Sequence, residues 1–300
     1  MDKIRAAIIG YGNIGKCVYD AIMSSPDMDA AGVVIRDKYT AISKNIPPSL
    51  AVAEHITELD KVDVAFLCIP SRIVPGVAEE ILSLGINTVD SYDMHESIFD
   101  LQKRLSPVAC ENNSVAIISA GWDPGTDSIV RCMIEAAAPK GITYTNFGPG
   151  MSMGHTVAVK AINGVKNALS LTIPLGTGIH RRMVYVQLNE NAQPKIVEDA
   201  IKNDPYFITS ETHVHFVDDI TALQDKGHGV NIIRKGVSGE ANNQFFEFNM
   251  QINNPALTAQ IMVSCGRASK RQAAGCYTMI ELPLIDLLHG NREEIIRRLV

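Results

Sequence analysis

Residues 4–15, IRAAIIGYGNIG, constrain the fold of this chain more than any other stretch. The first half is a short apolar run with β-branched residues, the pattern of a strand buried on both faces of a parallel sheet. It breaks into Gly10, Gly12 and Gly15, with Tyr11, Asn13 and Ile14 between them, a G-x-G-x-x-G spacing. Such a turn needs its first glycine for a tight bend, its second so that backbone can approach a pyrophosphate, and its third so that helix and strand can pack closely. A helix over 14–24 would then aim its N-terminal N–H groups at the phosphates. A second strand over 31–35 ends about 20 residues further on, where the adenosine ribose is met in sites of this kind. Alone, the glycines also fit a turn in some other α/β unit. With strand, helix and second strand in place, they point to a dinucleotide site.

The alternation runs on, with strands expected over 62–69, 86–89 and 115–119 and helices over 74–84 and 96–105, the signature of a parallel sheet. Polar clusters close these strands: Cys68, Ile69, Pro70 and Ser71, then Ser91, Tyr92 and Asp93, then Ala120, Gly121, Trp122, Asp123 and Pro124. Open α/β sheets bind their ligands at these carboxyl ends. Past residue 121 the pattern changes. A helix over 126–138 leads to strands over 143–147, 168–173, 183–188, 213–217, 230–235 and 245–252, several of which alternate apolar and polar residues as in a sheet with one solvated or interface face.

A chain of 300 residues exceeds what one hydrophobic core usually organises, so two domains are expected. The fold class is α/β: a Rossmann-type doubly wound parallel sheet over 1–121, and an α+β domain for substrate binding and dimerisation over 122–254. Helices in 255–300 are expected to pack back on the first domain. No apolar run approaches the roughly 18 residues of a membrane span, and the chain opens into a strand instead of a signal peptide, so a cytoplasmic protein with no membrane partner is expected. A net charge of -6 with no basic stripe argues against nucleic acid and for a small-molecule partner. Six cysteines without C-x-x-C or zinc spacing read as buried free thiols, with no metal.

Arg36, Asp37 and Lys38 close the second strand. Arginine there suits the 2′-phosphate of NADP, while Asp37 keeps NAD open. Asp93 in SYDMH and Asp123 in GWDPG stand at strand ends, where carboxylates can hold an amino-acid ammonium or take a proton as it becomes a free amine. His95 and His155 read as turn or capping residues. Trp122, the only tryptophan, lies in the second acid's cluster, where its ring could wall nicotinamide and substrate. The loop over 148–154, GPGMSMG, has the glycine content of an anion-binding nest. Nothing in spacing joins Thr172, Arg182 and His228, which read as strand propensity, surface charge and loop polarity.

GYGNIG, FLCIPS, SYDMH, SAGWDPG, GPGMSMGH, the HRR at 180–182, GHG at 227–229 and NNPALTAQ at 253–260, in this order over nearly the whole chain, resemble the meso-diaminopimelate dehydrogenase family. The resemblance implies NADP-dependent, reversible oxidative deamination at the D-centre of meso-2,6-diaminopimelate, giving L-2-amino-6-oxopimelate and ammonia, and a homodimer. It assigns Tyr11, Gly12, Asn13, Ile14, Arg36, Cys68, Ile69, Pro70, Ser71, Ser91, Tyr92 and Asp93 to the cofactor side. By the same resemblance Asp93 and Asp123 flank the reacting amino group beside Trp122, and Gly154 offers backbone to the near carboxylate. Thr172, Arg182 and His228 clamp the distal carboxylate, and Asn254 lies near substrate and cofactor.

Phe147 stands where some members have tryptophan and Met153 where they have glutamine, and the segment between Pro174 and His180 is short. These departures resemble the shorter subgroup, associated with amination of 2-keto acids by ammonium to D-amino acids. Two rivals remain at this level: another Rossmann imine or semialdehyde reductase, and a non-catalytic NADP-binding sensor.

Overall fold

The computed structural model describes residues 3–37, 39, 45–221 and 227–300. The chain divides into two compact units, Met1–Ile129 with Pro255–Val300, and Val130–Asn254. The first unit opens with β1 (Ile4–Ile9), α1 (Asn13–Met23), β2 (Met28–Val34), β3 (Val52–Ala53), β4 (Val64–Leu67), α2 (Val74–Ser83), β5 (Asn87–Asp90), α3 (Ile98–Glu111) and β6 (Val115–Ile117). Helix α4 (Thr126–Ala137) leads into the second unit. That unit holds β7 (Lys140–Phe147), β8 (Gly150–Met151), α5 (Met153–Lys160), β9 (Val165–Gly176), β10 (Ile179–Leu188), α6 (Pro194–Lys202), β11 (Glu211–Phe216), β12 (His228–Ser238) and β13 (Ala241–Ile252). The chain closes with α7 (Asn254–Ser269), β14 (Gly275–Tyr277) and α8 (Arg292–Leu299).

In the first unit seven strands form one sheet in the order β14, β6, β5, β4, β1, β2, β3, every neighbouring pair parallel. Chain order reverses at β1, so a crevice opens beyond the carboxyl ends of β1 and β4. This is the doubly wound architecture the alternation implies. Strands β4 and β6 are buried at every position, which explains their unbroken apolar runs. One sheet face packs Ile8, Phe66 and Ile117 against Val18 and Ile22 of α1 and Met262 and Val263 of α7. The other packs Ala65, Leu67 and Ala116 against Ile81 and Leu82 of α2 and Leu101 and Leu105 of α3.

Sequence pattern misses β3 and β14, too short to show a period, and it stops α3 early. A helix ending at residue 105 is expected, but α3 runs on through Pro107, which lacks an N–H, to Glu111. Its stripe of Leu101, Leu105 and Ala109 stays buried, and that packing outweighs one lost backbone bond.

The second unit contains a four-stranded sheet, ordered β11, β10, β9, β8, and a three-stranded antiparallel sheet, ordered β13, β12, β7. Val159, Val184, Val186, Val197 and Ile201 form its core, where α5 and α6 meet the larger sheet. Strands β9 and β10 extend past the expected ends to a two-residue turn, Thr177-Gly178, with φ of 52° and 80°. Positive φ at both positions gives the turn a twist that matches the flanking strands. Pro174 sits opposite His180, beside a register irregularity, and so interrupts nothing.

Burial corrects the expectation for the cysteines. Cys265 and Cys276 are buried, Cys17 and Cys68 half-buried, and Cys110 and Cys132 lie exposed on the outer faces of α3 and α4. Among the described residues no helix is long and apolar enough to cross a membrane, and no cluster of three or more His, Cys, Asp or Glu side chains could hold a metal ion.

Helix α7 is tied to the start of β2 by a buried arginine. Arg267 donates to both oxygens of Asp27, Nε to Oδ2 at 2.5 Å and Nη2 to Oδ1 at 2.8 Å, and to the Leu287 carbonyl at 3.0 Å. Burial pushes the Asp27 carboxyl up, yet the hydrogen bond and charge of Arg267 bring it below its ordinary value. Replacing Arg267 with alanine strands a partly buried carboxylate and is expected to lower the unfolding free energy by about 3 kcal/mol, read from urea unfolding at neutral pH.

Candidate active site

The glycine turn shows three different physical demands. Gly10 has φ 90°, and a Cβ there would lie 2.6 Å from the Cys68 carbonyl oxygen; a Cβ on Gly15 would lie 2.2 Å from the Gly10 oxygen. Both positions are closed by backbone. A Cβ on Gly12 meets nothing within 4 Å, so this is the open side of the turn. Gly12 is also the N-cap of α1 and makes no side-chain cap, which leaves the first-turn N–H groups for an anion. This cradle fits a dinucleotide pyrophosphate. Tyr11 and Gly15 are buried, Ile14 is half-buried, and Gly12 and Asn13 are exposed. Arg36 and Asp37 are exposed after β2, and Asp37 Oδ1 accepts the Tyr39 N–H at 2.9 Å, an Asx turn. Lys38 lies outside the described residues.

The strand-end clusters of the first unit are joined by hydrogen bonds. Cys68 donates its N–H to Ile9 across the β1–β4 ladder at 2.8 Å, and Ile69 and Pro70 lead on to Ser71. Ser71 Oγ donates to Asp93 Oδ1 at 2.6 Å and accepts the Asp93 N–H at 3.3 Å. The Gly121–Gly125 turn is closed by the Gly121 N–H on the Pro124 oxygen and the Asp127 N–H on the Trp122 oxygen, with a cis Asp123–Pro124 bond. Trp122 is buried. His95 Nε2 lies 3.9 Å from Asp123 Oδ2, so His95 sits beside an acid where a turn role alone was expected.

Sequence reasoning gave no role to a third acid, Asp90, which follows the strand expected over 86–89 and reads as one polar residue of the loop after it. It has no exposed surface, and its Oδ1 accepts the N–H groups of Tyr92 at 2.9 Å and Ser119 at 3.0 Å. Burial pushes its carboxyl up to about 6 against those two bonds.

In the second unit the β9–β10 register sets Arg182 directly opposite Thr172, and Arg182 Nη1 donates to Thr172 Oγ1. His228 opens β12 in the other sheet and is buried. Burial, then the charges of Arg182 and His180, lower its imidazole to about 4. The fold thus gathers Thr172, Arg182 and His228, which spacing leaves unconnected, and adds His180. That ring accepts the Phe147 N–H on Nε2 at 2.7 Å and packs on the Phe147 ring at 5.2 Å.

The loop expected to be an anion nest is something else. A Cβ on Gly148 would lie 2.2 Å from the Thr172 oxygen, and one on Gly150 would lie 2.0 Å from the Gly227 oxygen. The Gly148 N–H goes to Gly229 and the Ser152 N–H to Ser170. The glycines let this loop pass between β9 and β12, and its N–H groups serve the fold. Free donors come one step later, where α5 begins at Met153 and Gly154. His155 Nδ1 shares a hydrogen bond with the Ser152 Oγ at 2.8 Å, and its ring packs edge-on against Tyr206 and Phe207. Asn254 is half-buried at the start of α7.

Residues 121–254 match the family model described as the diaminopimelic acid dehydrogenase C-terminal domain. The chain is 61% identical to the meso-diaminopimelate D-dehydrogenase of Bacteroides fragilis over 303 aligned positions, covering 100% of both chains. It is similar in structure to Corynebacterium glutamicum diaminopimelate dehydrogenase in complex with diaminopimelate, at a TM-score of 0.89 and 31% identity over 100% of both chains. An engineered D-amino acid dehydrogenase bound to NADP+ is also similar, at a TM-score of 0.88 and 30% identity, covering 99% of this chain and 100% of that one.

The low value at His228 sets a pH dependence. An unfolded chain protonates this histidine near 6.5, whereas the fold resists protonation down to about 4, so its stabilising contribution is present above 6.5 and lost as pH falls through that window. The size is about 3 kcal/mol. Asp90 has the opposite slope: with its carboxyl raised from 3.8 to about 6, its contribution is present at low pH and lost as pH rises. The wild-type curve is therefore flattened. In urea unfolding between pH 4 and pH 7, His228→Asn should gain less stability on raising the pH than the wild type does.

Proposed function

The chain belongs to the meso-diaminopimelate D-dehydrogenase family, and from that premise we propose the roles its residues take in reversible, NADP-dependent oxidative deamination of meso-2,6-diaminopimelate at the D-centre, which yields L-2-amino-6-oxopimelate and ammonia. NADP, when bound, supplies the hydride acceptor or, in the amination direction, the donor. In this reading the first unit holds the cofactor: the N–H groups at Gly12, Asn13 and Ile14 take the pyrophosphate, Arg36 pairs with the 2′-phosphate, and the segments 68–71, 91–93 and 120–124 line the crevice. Asp37, already engaged by the Tyr39 N–H, leaves Arg36 as the residue that selects the phosphate.

Diaminopimelate carries two ammonium and two carboxylate groups at neutral pH, so its site needs both signs of charge. Asp93 and Asp123 accept the hydrogens of the D-ammonium, and one of them takes a proton from that nitrogen so that a neutral amine reacts. Ser71 fixes the rotamer of Asp93, and His95 stands beside Asp123. Trp122 and Asn254 pack beside the substrate, and the Met153 and Gly154 N–H groups at the start of α5 receive the near carboxylate. The observation that carries the substrate assignment is the meeting of Thr172, Arg182 and His228. A guanidinium, a hydroxyl and a buried imidazole offer three hydrogen-bonding groups to a distal carboxylate, and a substrate ending in a methyl group would gain none of these bonds. Met153 provides no side-chain donor to the near carboxylate, which favours reductive amination of other 2-keto acids to D-amino acids as a further activity. The second unit also mediates a homodimer, supported by Ile142 and Phe245, which stand 59% and 54% exposed on the outer strands of the three-stranded sheet. The enzyme works in the cytoplasm.

The deciding experiment is a spectrophotometric assay of NADP reduction with meso-, LL- and DD-diaminopimelate and with simple D- and L-amino acids. Turnover of the meso form over the LL form, with the reverse reaction dependent on ammonium, is expected. Replacing Arg36 with alanine should weaken NADP about 10- to 150-fold, the equivalent of roughly 1.5–3 kcal/mol for a charge-assisted contact, and leave NAD binding unaltered. Fluorescence titration of both reduced cofactors reads this. Asp93→Asn and Asp123→Asn should each lower kcat/KM by about 100-fold while NADPH affinity holds, and normal turnover in both would remove the acids from the chemistry.

A further inference from the structure

We propose that Asp90 is a positioning residue of the reaction, one carboxylate that clamps together the two loops bearing Asp93 and Asp123. The proposal rests on the reading of those two acids as the groups that act on the amine. Asp90 ends β5, between β4 and β6 in the middle of the parallel sheet. Its Oδ1 takes the N–H of Tyr92, the residue before Asp93, at 2.9 Å. The same oxygen takes the N–H of Ser119 at 3.0 Å, and the Asp90 backbone carbonyl takes the N–H of Ala120 at 2.7 Å. From Ala120 the chain runs through Gly121 and the buried Trp122 to Asp123. The β5–β6 ladder stops at Val89 and Ile117, and these bonds from one residue carry the connection on into the two loops that leave it.

Two further observations indicate a purpose beyond filling the core. Ser119 has φ 57°, the left-handed region that a non-glycine residue avoids, and its N–H is turned onto the carboxylate. The turn that aims the second acid is therefore held by Asp90 and not by local preference. Asp90 Oδ2 is buried and has no hydrogen-bond partner among the described residues. A carboxyl so placed is costly, a cost that an apolar side chain would avoid only by leaving the Tyr92 and Ser119 N–H groups without an acceptor. What an apolar side chain cannot do is accept both N–H groups at once. Tyr92, Cys265 and Cys276 lie within its electrostatic reach, and burial pushes all three up, so they approach it as neutral side chains.

The test is steady-state kinetics of the full-length enzyme with meso-diaminopimelate and NADP, alongside NADPH titration and thermal melting, for Asp90→Ala and Asp90→Asn. Loss of the oxygen that accepts both N–H groups in Asp90→Ala should lower kcat about 10- to 100-fold, the scale expected when a reacting group is misplaced by a fraction of an ångström to an ångström. KM and NADPH affinity should change far less. Asp90→Asn keeps one oxygen for the two N–H groups and should recover most of the lost kcat. An unchanged kcat in Asp90→Ala overturns the proposal, as does a failure of asparagine to recover it in folded protein. If Asp90→Ala does not fold, Asp90→Glu decides: it keeps the charge but moves the oxygens outward, and an unchanged kcat there overturns the clamp. Asp93→Asn and Asp123→Asn are measured in parallel. If they turn over normally, the acid reading falls and the clamp with it; if they are slow while Asp90→Ala is not, only the clamp falls.

Discussion

The first unit depends on parallel pairing. Because β1, β2, β4, β5 and β6 all run the same way, every one of their carboxyl ends lies on a single edge of the sheet, and each loop that leaves that edge can bear on one ligand. The reversal of strand order at β1 then separates the loops after β1 and β4 enough to leave a crevice. The contact at its base is tight, with the Gly10 Cα against the Cys68 carbonyl and the Gly15 Cα against the Gly10 carbonyl. Any side chain at either position would push β1, α1 and β4 apart. The nucleotide cradle is therefore a by-product of close packing, and the one glycine that packs against nothing, Gly12, marks the side it opens to.

The two units solve opposite electrostatic problems. The first sets acids at its strand ends and holds them with uncharged donors: Ser71 on Asp93, and backbone N–H groups on Asp90. Hydroxyl and amide donors orient a carboxylate without pairing it to a fixed cation. The second gathers Arg182, His180 and His228, where burial and mutual repulsion keep both imidazoles neutral at physiological pH. A neutral imidazole can donate from one nitrogen and accept from the other, so Arg182 is the one full positive charge among these three residues, flanked by dipoles. That pattern suits one carboxylate better than a cluster of cations would.

Parts of this molecule are legible from local sequence because local geometry decides them. The G-x-G-x-x-G spacing, the buried runs of β1 and β4, and Asp93 and Asp123 at strand ends follow from short-range sterics and from burial on both sheet faces, and each is visible within a dozen residues of chain. The pairing of Arg182 with Thr172 is not visible in this way. It depends on the Thr177-Gly178 turn setting a register that brings two distant residues opposite each other. His228 reaches that pair from a different sheet, and only the packing of β12 against the glycine loop brings it there.

Sequence by itself determined the fold class, the nucleotide turn, the arginine after β2 and the two strand-end acids, since these rest on periodicity, glycine sterics and residue chemistry at fixed offsets. Tertiary structure alone decided the rest. It showed that the glycine loop spends N–H groups of Gly148 and Ser152 on neighbouring strands instead of forming an open nest. It added β14 to the sheet edge beside β6, after an excursion of more than a hundred residues that no local pattern records. It turned Asp90, one polar residue after an expected strand, into the bridge between two loops, because a side chain's partners are set by which strands lie side by side, and that order is fixed by the burial of whole helices and not by the residues next to it in the chain.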